Sequence, residues 1–292
     1  MDKIKIQAPA TSANLGSGFD CLGIAFKCYN VFEFEKLDTG VEFVGCDDKY
    51  ANMNNLSYVS YKAVCDKIGV DSSVRITTID IGVPVSRGLG SSATLIVAGA
   101  VAANKLHGER LSKNEIFKIC TEIEGHPDNI APALFGGLCA SVVADSTPIT
   151  VKYPVSDIIH FTAVVPDFEV LTKEARALVP SMVRRADAIF NMSRTAILPK
   201  AFDEGDFDLI KIATQDRLHE RYKKKLFKNV SDVETCAYEC GVISFLISGA
   251  GSTCLCISDR EIAEELNKKI ERLENSWVSI PLFVDNEGAK EA

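Results

Sequence analysis

A glycine-rich segment in the first third of the chain, residues 84–94, constrains the fold more than any other feature. It reads P-V-S-R-G-L-G-S-S-A-T, and Gly88 and Gly90 can take positive φ values and let an anion approach the backbone. Small apolar residues follow at 95–103, which predicts a buried helix. Because a glycine loop that enters a helix presents unpaired N–H groups and the positive end of the helix dipole, the segment predicts a phosphate site.

Three other interpretations of this segment compete with that one. No Lys follows Gly90, so the segment is not a Walker A loop. Residues 88–93 match G-x-G-x-x-A, but the dinucleotide fingerprint needs a strand that runs directly into the first glycine, and residues 84–87 intervene. The remaining alternative is a plain glycine turn at the start of a core helix, which the double serine and the preceding proline disfavour.

Composition places the chain among soluble globular proteins. Its 292 residues suit two closely packed domains or one large domain, with 47% hydrophobic and 25% charged residues. The net charge of −8 argues against a nucleic-acid partner, and the longest apolar runs are too short to span a bilayer. Residues 1–6 lack the apolar core of a signal peptide, so we expect a cytoplasmic protein with no nucleic-acid or membrane partner.

Ten cysteines are scattered through the chain, mostly inside apolar runs. No C-x-x-C pair occurs, and Cys236 and Cys240 have helical spacing rather than that of a metal motif. We therefore expect free thiols in a reducing compartment.

The periodicity of apolar residues predicts strands mixed with helices. Strands are expected at 3–7, 31–37, 41–44, 74–81, 138–144, 149–153, 161–165, 243–248, 253–257 and 277–284. Helices are expected at 56–68, 112–124, 171–178, 181–198, 207–214, 230–240 and 260–273. This order indicates an α+β protein with a boundary between residues 155 and 170. Residues 288–292 read as a frayed tail.

Two further segments are rich in glycine and polar residues. Residues 8–20 read A-P-A-T-S-A-N-L-G-S-G-F-D and are interpreted either as a simple hairpin loop or as a substrate loop with Asn14 and Asp20 as its polar groups. Residues 122–137 read E-I-E-G-H-P-D-N-I-A-P-A-L-F-G-G. Three such segments in one chain favour a binding site over a structural turn at 84–94.

Taken together, the segments resemble the small-molecule kinases grouped as galactokinase, homoserine kinase, mevalonate kinase and phosphomevalonate kinase. The central match, P-x-x-x-G-L-G-S-S-A at 84–93, is nearly complete, and the turn S-G-A-G-x-T at 248–253 carries Ser252 where many relatives have proline. The segments that look like the homoserine kinase branch are residues 9–20, 124–133 and 171–180.

The resemblance implies a two-domain fold: an N-terminal ATP-binding domain related to ribosomal protein S5, residues 1–160, and a ferredoxin-like C-terminal domain, residues 161–292. It implies ATP-dependent phosphorylation of the side-chain hydroxyl of L-homoserine to O-phospho-L-homoserine, in threonine biosynthesis. ATP, Mg²⁺ and L-homoserine are the implied ligands. Such kinases are commonly homodimers, so a homodimer is also expected.

The same resemblance assigns the nucleotide site. Its residues would be Asn55, Pro84, Val85, Ser86, Arg87, Gly88, Leu89, Gly90, Ser91, Ser92, Ala93 and Thr94. Asn55 would face the adenine edge or cap a helix, and the sequence leaves both interpretations open. Ser92 and Glu124 would hold Mg²⁺, because a hydroxyl and a carboxylate suit a hard cation, whereas Glu122 is interpreted as a solvated helix residue.

The amino acid would be bound at its ammonium by Asp20 and at its carboxylate by Arg176, whose planar fork allows two parallel hydrogen bonds. The residues that would complete the pocket are Asn14, His126, Asn129 and Thr172. Homoserine kinases usually carry a second carboxylate-anchoring Arg in an E-P-Y-R segment, whereas residues 220–223 read E-R-Y-K. Lys223 supplies charge there without the fork; Arg217 or Arg221 could compensate, although a solvated surface position is favoured for both.

Asn129 and His126 are the candidate catalytic residues. Other members of the group carry an aspartate base where this chain has Asn129, and an amide cannot take up a proton at neutral pH. We therefore hypothesise that no protein group acts as the base, and that Asp128→Asn keeps most of the turnover. His126 would orient the substrate, with a base role as the alternative.

Two other functions compete with this one. Another kinase of the group, for mevalonate or a sugar, is disfavoured because the aspartate is missing at Asn129 and because Arg176 is present. A non-catalytic ATP-binding paralogue is disfavoured because Ser92 and Glu124 are both retained.

Overall fold

Two β-sheets organise the chain in the computed structural model, which describes residues 2–274 and 276–292. Within these residues, the seven strands of the first sheet are β1 (Lys3–Ala13), β2 (Leu22–Lys36), β3 (Val41–Val44), β4 (Val74–Ile81), β5 (Leu138–Ala144), β6 (Thr147–Tyr153) and β11 (Lys290–Glu291). The four strands of the second sheet are β7 (His160–Pro166), β8 (Ser244–Ile247), β9 (Cys254–Ser258) and β10 (Trp277–Leu282).

The same described ranges contain eleven α-helices, which gives the predicted α+β class. The four that precede β5 are α1 (Leu56–Ile68), α2 (Ser91–Leu106), α3 (Lys113–Glu124) and α4 (Ile130–Phe135). The seven that follow β7 are α5 (Thr172–Ala177), α6 (Arg185–Thr195), α7 (Leu198–Glu204), α8 (Phe207–Ala213), α9 (Glu220–Lys223), α10 (Val230–Glu239) and α11 (Ala263–Ile270). None of these helices combines the length and the apolar character that crossing a membrane requires.

The helix predicted over 181–198 is shorter than expected. It corresponds to α6, which begins at Arg185 and ends at Thr195, and a further helix that the sequence did not predict, α7, begins at Leu198. Pro199 lies in the first turn of α7, where its missing N–H is tolerated, whereas inside a continuous helix its ring would clash with the preceding turn.

The first sheet has the strand order β11-β1-β2-β4-β3, and β5 and β6 extend it beside β2. The alternation predicted for β2 is confirmed, since Phe32 and Phe34 are buried while Glu33 and Glu35 are partly exposed. The phenylalanines pack with α1 and α2 in one hydrophobic core. This core supports the start of α2, where the predicted phosphate site lies.

The helix predicted after the glycine loop is confirmed as α2, which lies in that core. Its small residues let the neighbouring helix come close. A Cβ atom at Gly99 would lie 2.0 Å from the Ser57 carbonyl oxygen of α1, so only glycine fits at this crossing.

Both faces of the second sheet are covered, which explains its apolar strands. Along β9, Cys254 and Cys256 pack in a core with residues of α10 and α11. Leu255 and Ile257 point to the opposite face and pack in a core with residues of α7 and α8. All ten cysteines are free thiols in this structure.

The last residues are not the frayed tail that the sequence suggested. β11 pairs antiparallel with β1, with Glu291 opposite Ile6. The backbone N–H of Ala289 donates to the carbonyl oxygen of Ala133 at 2.8 Å. The tail is ordered by these long-range backbone bonds, which a short polar segment does not reveal by its own pattern.

Candidate active site

A cavity of about 730 Å³ lies where the predicted glycine-rich segments meet. The predicted site residues that line it are Asn14, Asp20, Asn55, Val85, Ser86, Gly88, Gly90, Ser91, Ser92, Glu124, His126, Asn129, Thr172, Arg176 and Lys223. Gly249 and Ala250 of the turn at 248–253 also line it. Residues predicted to bind the nucleotide, the metal and the substrate therefore share one cavity.

The loop between β4 and α2 has the backbone that its glycines predict. Gly88 has φ +80° and Gly90 has φ +70°, both in the left-handed region. A Cβ atom at Gly90 would lie 1.9 Å from Thr11 Oγ1, and one at Gly88 would lie 2.4 Å from the Ser248 carbonyl oxygen. Neither position has room for a side chain.

The carbonyl oxygens of three successive loop residues are bonded to neighbouring segments. The donors and acceptors are Thr253 N to Arg87 O at 2.9 Å, Ser248 Oγ to Gly88 O at 2.6 Å, and Thr11 N to Leu89 O at 3.1 Å. Among the described residues, the N–H groups of residues 88–90 donate to no protein acceptor. The first N–H groups of α2 have no acceptor within the helix either. The loop therefore offers a row of backbone donors to an anion.

Five of the predicted nucleotide-site residues do not line the cavity, namely Pro84, Arg87, Leu89, Ala93 and Thr94. Leu89 is buried against Ala10. The Arg87 guanidinium donates to the carbonyl oxygens of Pro166 and Asp167. The role of these five residues in the nucleotide site stays a prediction, and it would depend on their main chain.

Asn55 caps a helix and also lines the cavity. Its Oδ1 accepts hydrogen bonds from the backbone N–H and the hydroxyl of Ser57, at 3.0 and 2.7 Å, which caps α1. Its Nδ2 donates to the Tyr50 carbonyl oxygen at 3.0 Å. Because both lone pairs of Oδ1 are used, one amide hydrogen is left for a ligand.

The predicted metal pair is in direct contact. Ser92, in the first turn of α2, donates from Oγ to Oε1 of Glu124 at 2.6 Å, and both residues line the cavity. Glu122 is exposed and does not line it. A hydroxyl and a carboxylate at the end of the phosphate loop are hard oxygen ligands, so they fit Mg²⁺ that also binds phosphate oxygens.

Asp20 and Arg176 form a two-point ion pair at the cavity. Arg176 Nη2 donates to Asp20 Oδ1 at 2.7 Å, and Nη1 donates to Oδ2 at 3.1 Å. Asn14 supports the pair, because its Oδ1 accepts from Asp20 N at 2.9 Å and its Nδ2 donates to the Gly249 carbonyl oxygen at 3.0 Å. Thr172 lines the cavity from α5, the helix that carries Arg176.

Lys223 is the cation of the E-R-Y-K segment that reaches the cavity. It is 2% exposed, and its Nζ donates to the Gly249 carbonyl oxygen at 2.8 Å. Burial lowers its pKa to about 8, although Asp20 and Glu220 act in the opposite direction. A compact ammonium in this position can contact a ligand carboxylate through its remaining hydrogens.

The other two candidate cations, Arg217 and Arg221, lie elsewhere. Neither lines the cavity, and both guanidinium groups lie near the carboxylate of Asp187, at 3.8 and 3.5 Å. Their side chains are about half exposed, which agrees with the surface position that the sequence favoured.

His126 is held by a buried carboxylate. Its Nδ1 lies 2.5 Å from Oδ1 of Asp128, which is 2% exposed. Burial opposes protonation of the imidazole, but the hydrogen bond and the charge of Asp128 outweigh this and raise the pKa of His126 above its usual value. Because Asp128 holds Nδ1, the imidazole has a fixed orientation, which suits a role in orienting a substrate.

Two polar residues next to Asn129 received no site role from the sequence, namely Asp128 and Thr11. Asp128 was expected only to be dispensable as a base, yet it lines the cavity together with Asn129, and both precede α4, which begins at Ile130. Thr11 Oγ1 donates to Asn129 Oδ1 at 2.8 Å. The position of Thr11 in the polar segment at residues 8–20 was the feature of the sequence that could have indicated a role for it.

His219, to which the sequence assigned no role, is fully buried behind the substrate loop. Its Nε2 lies 2.8 Å from the Gly16 carbonyl oxygen, and its ring stacks on Phe19 with centroids 4.8 Å apart. Burial lowers its pKa to about 4, and the nearby Lys223 charge contributes. A neutral imidazole therefore fixes the loop that carries Asp20.

Comparisons with known proteins agree with this geometry. Residues 55–137 match the family model "GHMP kinases N terminal domain", and residues 199–274 match "GHMP kinases C terminal". A homoserine kinase of Clostridium botulinum (strain Langeland) is 41% identical over 288 residues, which cover 98% of this chain and 97% of that protein.

Solved structures resemble the whole chain. A homoserine kinase from Cytophaga hutchinsonii has a TM-score of 0.88 at 27% identity, over 100% of this chain and 98% of the other. A mevalonate diphosphate decarboxylase from Staphylococcus aureus has a TM-score of 0.74 at 16% identity, over 100% and 98%, and shares the fold alone. The predicted two-domain kinase fold is confirmed, and the chain belongs to the GHMP kinase family, within its homoserine kinase branch.

Proposed function

We propose that this chain transfers the γ-phosphoryl group of ATP to the side-chain hydroxyl of L-homoserine, giving O-phospho-L-homoserine and ADP, in threonine biosynthesis. The observation that carries the proposal is the Asp20–Arg176 pair, which lies in the same cavity as the phosphate loop. The names of the relatives, homoserine kinases, support the same substrate.

The two charges of the pair suit the two charges of an α-amino acid. The substrate ammonium would bind Asp20, and its carboxylate would bind Arg176 in place of part of the present ion pair. Lys223 would contact the carboxylate as a second cation, while Asn14 and Thr172 complete the pocket. A sugar or mevalonate carries no ammonium, so Asp20 would lack a partner with either of them.

At the other end of the cavity, the triphosphate would lie on the backbone N–H groups of the loop and of the first turn of α2, with adenine towards Asn55. Ser92 and Glu124 would hold Mg²⁺, which when bound neutralises phosphate charge. Backbone donors suit this task because they are fixed before the substrate binds.

The homoserine oxygen would form the new bond to phosphorus as the bond from phosphorus to the β–γ bridging oxygen breaks. We propose that no side chain takes the hydroxyl proton during attack, and that it leaves late to a γ-phosphoryl oxygen. This is consistent with an amide at Asn129 and with a His126 whose Nδ1 is held by Asp128. His126 and Asn129 would orient the hydroxyl.

The direct test is ADP release by the purified protein with Mg-ATP and each of four acceptors: L-homoserine, L-threonine, mevalonate and galactose. We expect turnover with L-homoserine above all others. Tight ATP binding without turnover on any acceptor would contradict the proposal and favour a non-catalytic ATP-binding protein.

We also propose a division into an N-terminal ATP-binding domain, residues 1–160, and a C-terminal domain, residues 161–292. β6 ends in the first sheet at Tyr153, and β7 begins the second sheet at His160, which supports a boundary there. β11 would be the exception, because it returns to the first sheet. Limited proteolysis should cut first near this boundary, and a first cut inside either sheet would contradict it.

For its setting, we propose a cytoplasmic homodimer. Ten free thiols suit a reducing compartment, and a homodimer is common in the group that the chain resembles. Sedimentation equilibrium tests the second point, since a mass near the 31.8 kDa of one chain would contradict it.

A further inference from the structure

Thr11 lies between the phosphate loop and Asn129 and contacts both. It is fully buried in β1, and its backbone N–H donates to the Leu89 carbonyl oxygen at 3.1 Å. Its hydroxyl donates to Asn129 Oδ1 at 2.8 Å, across 118 residues of sequence. At Gly90 a Cβ atom would overlap this hydroxyl, so the loop passes directly over it.

The neighbours of Asn129 determine which way its amide points. Oδ1 accepts the Thr11 hydrogen, and Nδ2 lies 3.4 Å from the carboxylate oxygen Oδ1 of Asp128. The opposite orientation would set the amide oxygen against that carboxylate, so the two contacts favour the same arrangement. With its oxygen occupied by Thr11, the amide can offer the cavity a hydrogen-bond donor.

We propose that Thr11 is a positioning residue for phosphoryl transfer, acting through Asn129; this rests on the proposed function. The substrate hydroxyl would accept a hydrogen bond from Asn129 Nδ2. One lone pair of its oxygen then remains for phosphorus, and its proton points away from Asn129. Because the backbone of Thr11 is bonded to the loop, the same residue fixes the distance between this donor and the phosphates.

The test compares Thr11→Val, which keeps the shape and removes the hydroxyl, with Thr11→Ser, which keeps the hydroxyl. We expect Thr11→Val to lower kcat about tenfold or more. The loss should stay below the roughly hundredfold that is typical of losing a direct transition-state donor. The KM values for ATP and L-homoserine should change by less than about threefold, because positioning acts on the transition state. Thr11→Ser should restore most of kcat.

A double-mutant cycle with Asn129→Ala separates this role from a merely structural one. In the Asn129→Ala background, Thr11→Val should cause little further loss of kcat, because the group that it positions is gone. The same cycle with Thr11→Ala, which also removes the hydroxyl, serves if Thr11→Val does not fold.

Three results would overturn the proposal. One is a fully additive cycle, and another is a Thr11→Val enzyme with wild-type kcat. Wild-type protein that phosphorylates no amino acid would overturn the proposed function together with this role. Additivity in an enzyme active on L-homoserine would overturn the role of Thr11 alone.

Discussion

Replacing Lys223 tests how this chain anchors the substrate carboxylate without the usual second arginine. Lys223→Met removes the charge and keeps the length of the side chain, whereas Lys223→Arg keeps a charge at every accessible pH. A charge-assisted hydrogen bond contributes about 1.5–3 kcal/mol, so Lys223→Met should lower kcat/KM for L-homoserine about tenfold to a hundredfold at pH 7. The KM for ATP should stay nearly constant.

The pH dependence follows from burial of the same ammonium. Burial lowers the pKa of Lys223 to about 8, so the cation is present below that pH and is lost as pH rises through it. About one tenth of the side chains would be charged one pH unit above the pKa. Between pH 7 and 9 the wild-type kcat/KM should therefore fall about tenfold towards that of Lys223→Met. The other charged groups nearby are Asp20, Glu220, Arg176 and Asp128. Burial raises the pKa of Glu220 to about 7, so its titration enters the same profiles.

The assay is kcat/KM for L-homoserine against pH, with ADP release as the readout. Titration of the substrate ammonium affects all three enzymes equally, so the informative quantity is the ratio of wild type to Lys223→Arg. This ratio should be constant below about pH 7.5 and fall above it. Parallel profiles for the two enzymes, or an unchanged kcat/KM in Lys223→Met at pH 7, would refute Lys223 as the anchor. Melting temperatures check that the lost bond to Gly249 has not unfolded the protein.

Three further predictions concern the loop, the metal pair and the proton. Gly90→Ala should lower the free energy of unfolding by about 1–3 kcal/mol and weaken ATP binding, because φ is +70° and Thr11 Oγ1 occupies the Cβ position. The matched control for thermal melting is Gly108→Ala, at φ +89° with open space around it. Equal effects of the two substitutions would contradict the clash at Gly90. Glu124→Gln should raise the Mg²⁺ concentration needed for half-maximal activity, while Glu122→Gln, exposed and outside the cavity, should not; equal Mg²⁺ titrations would count against the metal role. Asp128→Asn should keep most of kcat, whereas a loss of about a thousandfold, about 4 kcal/mol, would indicate a protein base.

Local patterns predicted the parts of the site that are continuous in sequence. The loop at 84–94 and the start of α2 follow from glycines, hydroxyls and a small apolar run, because backbone freedom and helix burial act over a few residues. The local pattern at residues 8–20 marked Asp20, and the resemblance added Arg176; the two residues are 156 positions apart yet form one ion pair. Neither residue has a local pattern that would connect them.

The features of the structure that the sequence did not predict depend on long-range packing. Leu89 packs against Ala10, and the Arg87 guanidinium bonds to the carbonyl oxygens of Pro166 and Asp167 at the end of β7, so both side chains turn away from the cavity. β11 pairs with β1, although its two residues are too few to show the alternation that predicts a strand. The bond from Thr11 to Asn129 and the burial of Lys223 likewise depend on contacts between distant segments, where tertiary structure overrides local preference.

The most direct measurement follows the γ-phosphoryl group itself. Purified protein is incubated with Mg-ATP labelled at the γ-position, and the label is traced in L-homoserine, N-acetyl-L-homoserine and L-homoserine amide. An enzyme that reads the ammonium with Asp20 and the carboxylate with Arg176 should label the side-chain oxygen of L-homoserine and label either blocked analogue at least about a hundredfold less efficiently. Equal labelling of all three compounds, or release of the label only as inorganic phosphate, would contradict the proposed site.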